Sequence, residues 1–375
     1  MTDVFVYGTL RSERLRKAVA GGDRLVVDAA LLHAFSVFSV RGDVVPFIAK
    51  NGSGSAEGVI MRNVDTDQIA RLDAYEGAFG YALSPVEVDG PDGAETVQMY
   101  LPPDDIAQGS GEWSFDHWQA NYENMAVFAA NELFSHDPPL QALDIRQQWA
   151  MIGKRAWSRA QLLGQKLPSF TVRHVAKPDD FELVQTDAAR GKFFKFETVD
   201  VTHKTFRGDR AGPLPREGFV GVDAVLVLPY DKSRDTVLLI EQFRVGPAMR
   251  GDHQPWSLEP VAGMIDATET PVETAFREVQ EEAGITEIEL LDAGHGYPSP
   301  GSTTDYFYSY IGLCDLPEDH AKFGGLACEA EDLRLHIVPR SQAMEMIETG
   351  EINTGPLVQA LYWLALNVEQ IATSS

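Results

Sequence analysis

Apolar and polar positions along this 375-residue chain fall into two strand-like blocks separated by a helical one. Positions 4–7 read as a strand that begins almost at the first residue. Positions 86–89 and 96–101 alternate on either side of Gly90-Pro91-Asp92-Gly93, which predicts a hairpin. Pro102-Pro103-Asp104-Asp105 then breaks the pattern, as does 108–111. From 113 the period changes: Trp113, Trp118, Tyr122, Met125, Phe128 and Leu133 recur at helical spacing, 135–139 interrupts, and 143–163 resumes. Alternation returns over 170–175, 181–186, 193–201, 221–230 and 236–242, followed by a helix over 271–283. Further strands are expected at 287–291, 306–313 and 333–339, with closing helices near 340–349 and 357–371.

These periods predict an α/β (α+β) protein of two domains, 1–115 and 167–375, joined by a helical connector at 116–166. Strands around a central helix, with a helix packed on the outer side, predict an α/β/α sandwich of mixed sheet for the second domain. The connector carries Arg146, Lys154, Arg155 and Arg159, which suits helices bridging the domains or, as a second reading, a basic docking surface.

Composition narrows the function. At 44% apolar and 23% charged the chain is globular in character, and its length exceeds one ordinary core. A net charge of −25 disfavours nucleic acid and anionic membrane as partners. A small anionic ligand remains compatible, since a metal and a few arginines reverse the potential inside a cleft. The apolar runs are too short for a bilayer span, and the N-terminus lacks the basic and apolar regions of a signal peptide, so a cytoplasmic protein is expected. Cys314 and Cys328 make no disulfide framework, and the nine scattered histidines make no zinc motif.

The chemistry concentrates in residues 263–285, GMIDATETPVETAFREVQEEAGI. Thr270, Pro271 and Glu273 form a helix start with a capping box, and Gly284 suits a left-handed stop. Val272, Ala275, Phe276, Val279 and Ala283 are the expected buried stripe. Glu278 and Glu282 are neighbours on the helix surface with Glu281 beside them, and such like charges call for a cation. Arg277 is placed to orient one of these carboxylates.

Gly263, Glu269, Arg277, Glu278, Glu281, Glu282 and Gly284 match the Nudix box G-x5-E-x7-R-E-U-x-E-E-x-G-U without departure. With Glu241-Gln242-Phe243-Arg244, the Leu258–Gly263 stretch containing Glu259, a proline element at Pro300 and an acidic loop at 325–332, residues 167–375 resemble the ADP-ribose pyrophosphatases of that superfamily. The resemblance implies Mg²⁺, with Mn²⁺ as the alternate, held by the Ala262 carbonyl, Glu278, Glu282 and Glu331. It implies Glu329 as general base, Glu281 and Glu282 among the catalytic carboxylates, and Arg244, Glu259 and Pro300 on the substrate side. The implied reaction splits ADP-ribose, or another nucleoside diphosphate sugar such as GDP-mannose or ADP-glucose, at its pyrophosphate; for ADP-ribose the products are AMP and ribose 5-phosphate. A homodimer exchanging the first strands of the Nudix unit is also implied. Two departures bear on specificity: Asp305 stands where relatives often have Glu, and Pro260 comes one place earlier than their proline.

In the first domain, Tyr7-Gly8-Thr9-Leu10 ends a strand in a sharp bend, and Leu72-Asp73-Ala74-Tyr75-Glu76-Gly77 follows later, with Tyr81 soon after. Exposed backbone N–H groups at such a bend cradle a carboxylate, and a facing glutamate can exchange protons with an amine. Residues 1–115 resemble the gamma-glutamylcyclotransferase and AIG2-like family, a mixed β-barrel with helices. The resemblance implies that Tyr7, Gly8, Thr9 and Leu10 bind a glutamyl or 5-oxoproline moiety and that Glu76 carries proton transfer. A competing reading makes this domain the main enzyme, releasing 5-oxoproline, with the Nudix domain a nucleotide sensor.

Overall fold

The computed structural model describes residues 1–22, 25–104, 108–165, 170–317, 324–325 and 332–373, apart from the side chains of 108–110. The chain divides into two compact units, 1–193 with 198–214, and 194–197 with 215–375.

The first unit is built from β1 (Thr2–Val6), α1 (Glu13–Ala20), β2 (Val26–Val40), β3 (Pro46–Val64), α2 (Thr66–Gly77), β4 (Ala82–Gly90), β5 (Gly93–Leu101), β6 (Gln108–Glu112), α3 (Phe115–Leu133) and α4 (Ala142–Gly164). Strand order is β3-β1-β5-β4-β2-β6, and β3 also pairs with β2, so five strands close on themselves. The β1–β5 pair is parallel, which makes the barrel mixed. Side chains alternate across β1: Val4 and Val6 enter one core with Leu15, Met61 and Leu72, while Phe5 and Tyr7 enter the other with Ile48, Ile60 and Met99.

Helix α3, expected in the connector, contributes Trp118 and Ala130 to the same core as Val4. Its apolar stripe is satisfied inside this unit rather than across a linker. Helix α4 packs on α3 through Ala129, Ile152 and Ala156. The basic stretch is partly consumed by this packing. Arg155 is buried and grips the Glu132 carboxylate with Nε at 3.0 Å and a terminal nitrogen at 2.6 Å, and Arg159 lies over the Phe128 ring.

Strands β7 (Phe181–Gln185), β8 (Lys195–Lys204) and β9 (Arg210–Val220) form a small sheet, and the division between units falls within it. The second unit continues with β10 (Ala224–Asp231), β11 (Thr236–Phe243), α5 (Val245–Arg250), β12 (Trp256–Glu259), β13 (Val261–Met264), α6 (Pro271–Ala283), β14 (Glu289–Gly296), β15 (Phe307–Leu313), β16 (Arg334–Pro339), α7 (Arg340–Thr349) and α8 (Gly355–Thr373). Its sheet runs β12-β11-β10-β15-β14, with β13 on β10 and β16 on β11, and β10–β15 is the parallel pair.

Leu228, Leu239 and Ile311 pack with Ala343, Leu357, Leu361 and Leu364 of α7 and α8. Successive residues of a strand face opposite sides, so Val225 and Val227, both fully buried, lie on the face that α6 covers. Helices therefore sit on both faces of a mixed sheet. Among the described residues no helix is long and apolar enough to cross a membrane.

Candidate active site

Helix α6 starts and stops as its sequence predicts. The Thr270 hydroxyl accepts from the Glu273 N–H at 3.3 Å, and the Glu273 carboxylate accepts from the Thr270 N–H at 2.8 Å. Gly284 ends it at φ 68°, a left-handed value that favours glycine. The buried stripe, however, is only partly the expected one: Ala275 and Val279 are buried as predicted. Thr274, Ala275, Val279 and Glu282 face inward, whereas Val272 and Phe276 remain 45% and 44% exposed. At about 100° per residue this rotates the inward face by roughly 70°. The reason is local: the carboxylates, not the apolar pair, must reach the backbone of β13.

Gly263 makes that approach feasible. A Cβ there would lie 1.9 Å from a Glu278 carboxylate oxygen and 2.0 Å from its Cδ, so any side chain would expel Glu278. One position earlier, the Ala262 N–H donates to Glu282 Oε2 at 3.1 Å, and Glu282 is 2% exposed. Glu278, Glu282 and Ala262 are thus gathered where β13 meets α6.

Arg277 ties the remaining carboxylates together. Its guanidinium donates to Glu269 at 2.9 and 3.0 Å, to Glu278 at 2.6 Å and to Glu281 at 3.0 Å. Burial pushes the Glu269 carboxyl up, but hydrogen bonds from Arg277 and Thr274 outweigh it and hold the group below the usual range. Among the described residues no three acidic, His or Cys side chains form a ready-made metal cage. Even so, carboxylate oxygens beside a backbone carbonyl are the hard donors that a divalent cation of the magnesium type takes. Glu329 and Glu331 lie outside the described residues, so their place relative to this cluster is not part of the geometry.

Arg244 and Glu259 are brought together at the ends of β11 and β12. Arg244 Nε and a terminal nitrogen meet the two Glu259 oxygens at 2.8 and 2.6 Å, a bidentate fork. Glu259 is three residues from Ala262 along the connected strands β12 and β13. Pro300 is exposed and lies beside a turn in which the Ser302 and Thr303 N–H groups donate to the Ser299 carbonyl.

That turn leads to Asp305, whose carboxylate accepts from the Thr303 hydroxyl at 2.7 Å and lies against Gly221. Sequence reasoning missed its neighbour Asp223. Burial, and then the Asp305 charge, pushes Asp223 up to about 7. The signal was there in Val222-Asp223-Ala224-Val225, an acid set into a strand's apolar run.

The first unit holds a separate cavity of about 260 Å³, lined by Tyr7, Gly8, Thr9, Leu10 and Glu76 as expected. Gly8 is required by close approach, since a Cβ would stand 2.7 Å from the Pro46 ring. Glu76 is near the C-terminal end of α2, which Asp65 caps through a capping box with Gln68. No group among the described residues hydrogen-bonds the Glu76 carboxyl, and burial pushes it up to about 7. Tyr7 is also raised, by burial first and then by Tyr81 and Glu76. Asp43, Phe79, Tyr100 and Trp149 line the same cavity and were not foreseen.

Comparison with known proteins assigns the two halves separately. Residues 4–119 match the family described as gamma-glutamyl cyclotransferase, AIG2-like, and residues 221–361 match the NUDIX domain. The ADP-ribose pyrophosphatase of Haemophilus influenzae is 34% identical over 205 residues, 54% of this chain and 94% of the relative. That of Escherichia coli strain K12 is 35% identical over 189 residues, 50% of this chain and 90% of the relative. A GDP-mannose pyrophosphatase of Escherichia coli O157:H7 is 32% identical over 152 residues, 40% of this chain and 78% of the relative.

Proposed function

The chain belongs to the Nudix hydrolases and is a Nudix pyrophosphohydrolase, and from this we propose that it cleaves ADP-ribose to AMP and ribose 5-phosphate with Mg²⁺. One observation carries the reading: Glu278 and Glu282 are set against the β13 backbone at Ala262 and Gly263, and a Cβ on Gly263 would displace the Glu278 carboxylate. In this proposal Glu278, Glu282, Glu331 and the Ala262 carbonyl hold the cation, with Mn²⁺ as its substitute. When bound, the ion neutralises phosphate charge and acidifies a water. Glu281 and Arg277 keep the carboxylates in register, Glu329 takes the proton from the attacking water, and Arg244 with Glu259 and Pro300 bounds the substrate side.

The test is direct. Incubation with ADP-ribose and Mg²⁺ should release AMP, and Glu282→Gln should lower turnover by at least about 10²-fold. Undiminished AMP release from that variant would remove the assignment. A panel including GDP-mannose and ADP-glucose ranks the nucleoside diphosphate sugars. The proposal extends to a cytoplasmic homodimer, with no nucleic acid or membrane partner. The solvent-facing Phe181, Leu183 and Val184 of β7 support dimerisation through that sheet.

A second reading is favoured by Glu76. A half-buried carboxyl pushed up to about 7 by loss of water, with no hydrogen-bond partner among the described residues, is poised to exchange a proton near neutrality. We infer that residues 1–115, completed by the helices of 116–166, form a second site of the gamma-glutamyl cyclotransferase type, distinct from the Nudix site in 167–375. There the α-amine of a γ-glutamyl amide attacks the γ-carbonyl carbon, forming the ring C–N bond of 5-oxoproline. The amide C–N bond breaks, and Glu76 passes the proton lost by the α-amine to the departing amine. Tyr7, Gly8, Thr9 and Leu10 hold the glutamyl end.

A further inference from the structure

The N-terminal cavity has a wall that its family stretch does not supply. The match to the cyclotransferase-like family ends at residue 119, yet Trp149 of α4 lines the cavity. The indole meets Phe79 edge-on at 5.0 Å and 65°, and Tyr75 at 6.2 Å and 79°. This wall is held from within the unit. Ile145 and Ile152 are buried on α4, and the fork from Arg155 to Glu132 pins α4 to α3.

The cavity's polar groups include the Gly8–Leu10 bend and the hydroxyls of Tyr7, Tyr75, Tyr81 and Tyr100, and Asp43 and Glu76 are the charged side chains among its described lining residues. Among the described residues no Lys, Arg or His lines it. Phe79 is 37% exposed and Trp149 half-buried, so the aromatic pair Phe79–Trp149 borders solvent. A ligand whose reacting end lies beside Glu76 can lay its other end along these rings.

We propose that Trp149 is a specificity-determining residue. With Phe79 and Tyr75 it forms an aromatic slot for the amine half of the ligand, so the site takes γ-glutamyl amides of aromatic amines in preference to those of small polar ones. This rests on the γ-glutamyl reading of the cavity given above. An aromatic substituent gains ring contacts and loses its water, whereas a glycyl carboxylate brings negative charge toward Glu76 and Asp43.

The experiment titrates the full chain calorimetrically with γ-glutamyl-phenylethylamide and with γ-glutamylglycine, all in a Glu76→Gln background to prevent turnover. The aromatic amide should bind at least about tenfold more tightly. Trp149→Leu and, at the more exposed position, Phe79→Leu should each reduce that preference to about threefold or less, and Trp149→Phe should restore most of it. Unchanged ADP-ribose hydrolysis certifies that the Nudix site is intact, and an unchanged circular dichroism spectrum that the fold is. Equal affinity for the two amides, or a preference that survives both leucine variants, overturns the role of Trp149 while leaving the γ-glutamyl reading standing. Failure of both amides to bind overturns that reading and the proposal with it.

Discussion

A carboxyl group that loses its water without gaining a partner resists ionisation, and Glu76 and Glu269 illustrate the two sides of this rule. Glu269 is met by Arg277 and Thr274 and stays ionised; Glu76 has burial alone and rises to about 7. For Glu76 the sign of the stability effect follows. The folded-state value exceeds that of the unfolded chain, so between about 4.5 and 7 the folded protein binds the extra proton and stability falls as pH rises. Above about 7 the destabilisation is complete, on the order of 3 kcal/mol. Glu76→Gln should therefore raise the melting temperature of the first unit at pH 8 and leave it nearly unchanged at pH 4.5. Thermal scans at both values check this, and an equal shift at both would deny the buried charge. If the second reading holds, cyclotransferase turnover should also climb with pH through about 7, as Glu76 must be deprotonated to accept the amine proton.

At the scale of elements, α6 and β13 act as one device. The helix is fixed at both ends by its own sequence, and the strand offers a position without a Cβ for Glu278 to fill. Gly263→Ala should push Glu278 out of place and reduce pyrophosphohydrolase activity by roughly 10²-fold, the scale expected of an ångström-sized misplacement. Circular dichroism of the variant should change little, and retention of full activity would contradict the steric account. The caps and the box were legible because their geometry is local: Thr270, Glu273 and Gly284 act within a turn of themselves. The inward face was not, because Val272 and Phe276 share the helical period with Ala275 and Val279, and periodicity alone cannot say that a carboxylate stripe outranks an apolar one. Asp223 escaped for a related reason, since the alternation over 221–230 marks it as strand but not as the partner of Asp305 eighty-two residues later, and it in fact immediately precedes β10.

Across the whole molecule, each unit has its own core and its own polar cluster. Glu282→Gln should leave binding at the N-terminal cavity unchanged, and Glu76→Gln should leave AMP release from ADP-ribose unchanged. Cross-effects beyond about twofold, in paired assays of both variants, would mean the two sites are coupled. The two strand-rich blocks were legible from alternation alone, while the role of the helices between them depended on contacts that no local pattern carries. Trp118 shares a core with Val4 and Val6 of β1, more than a hundred residues back, and Trp149 meets Phe79 seventy residues back. That last contact sets a rule for anyone dissecting the protein. A fragment cut where the cyclotransferase-like match stops would keep the glutamate and its loop but present them in an unroofed bowl, and a substrate screen on it would report on a site that the intact chain does not have.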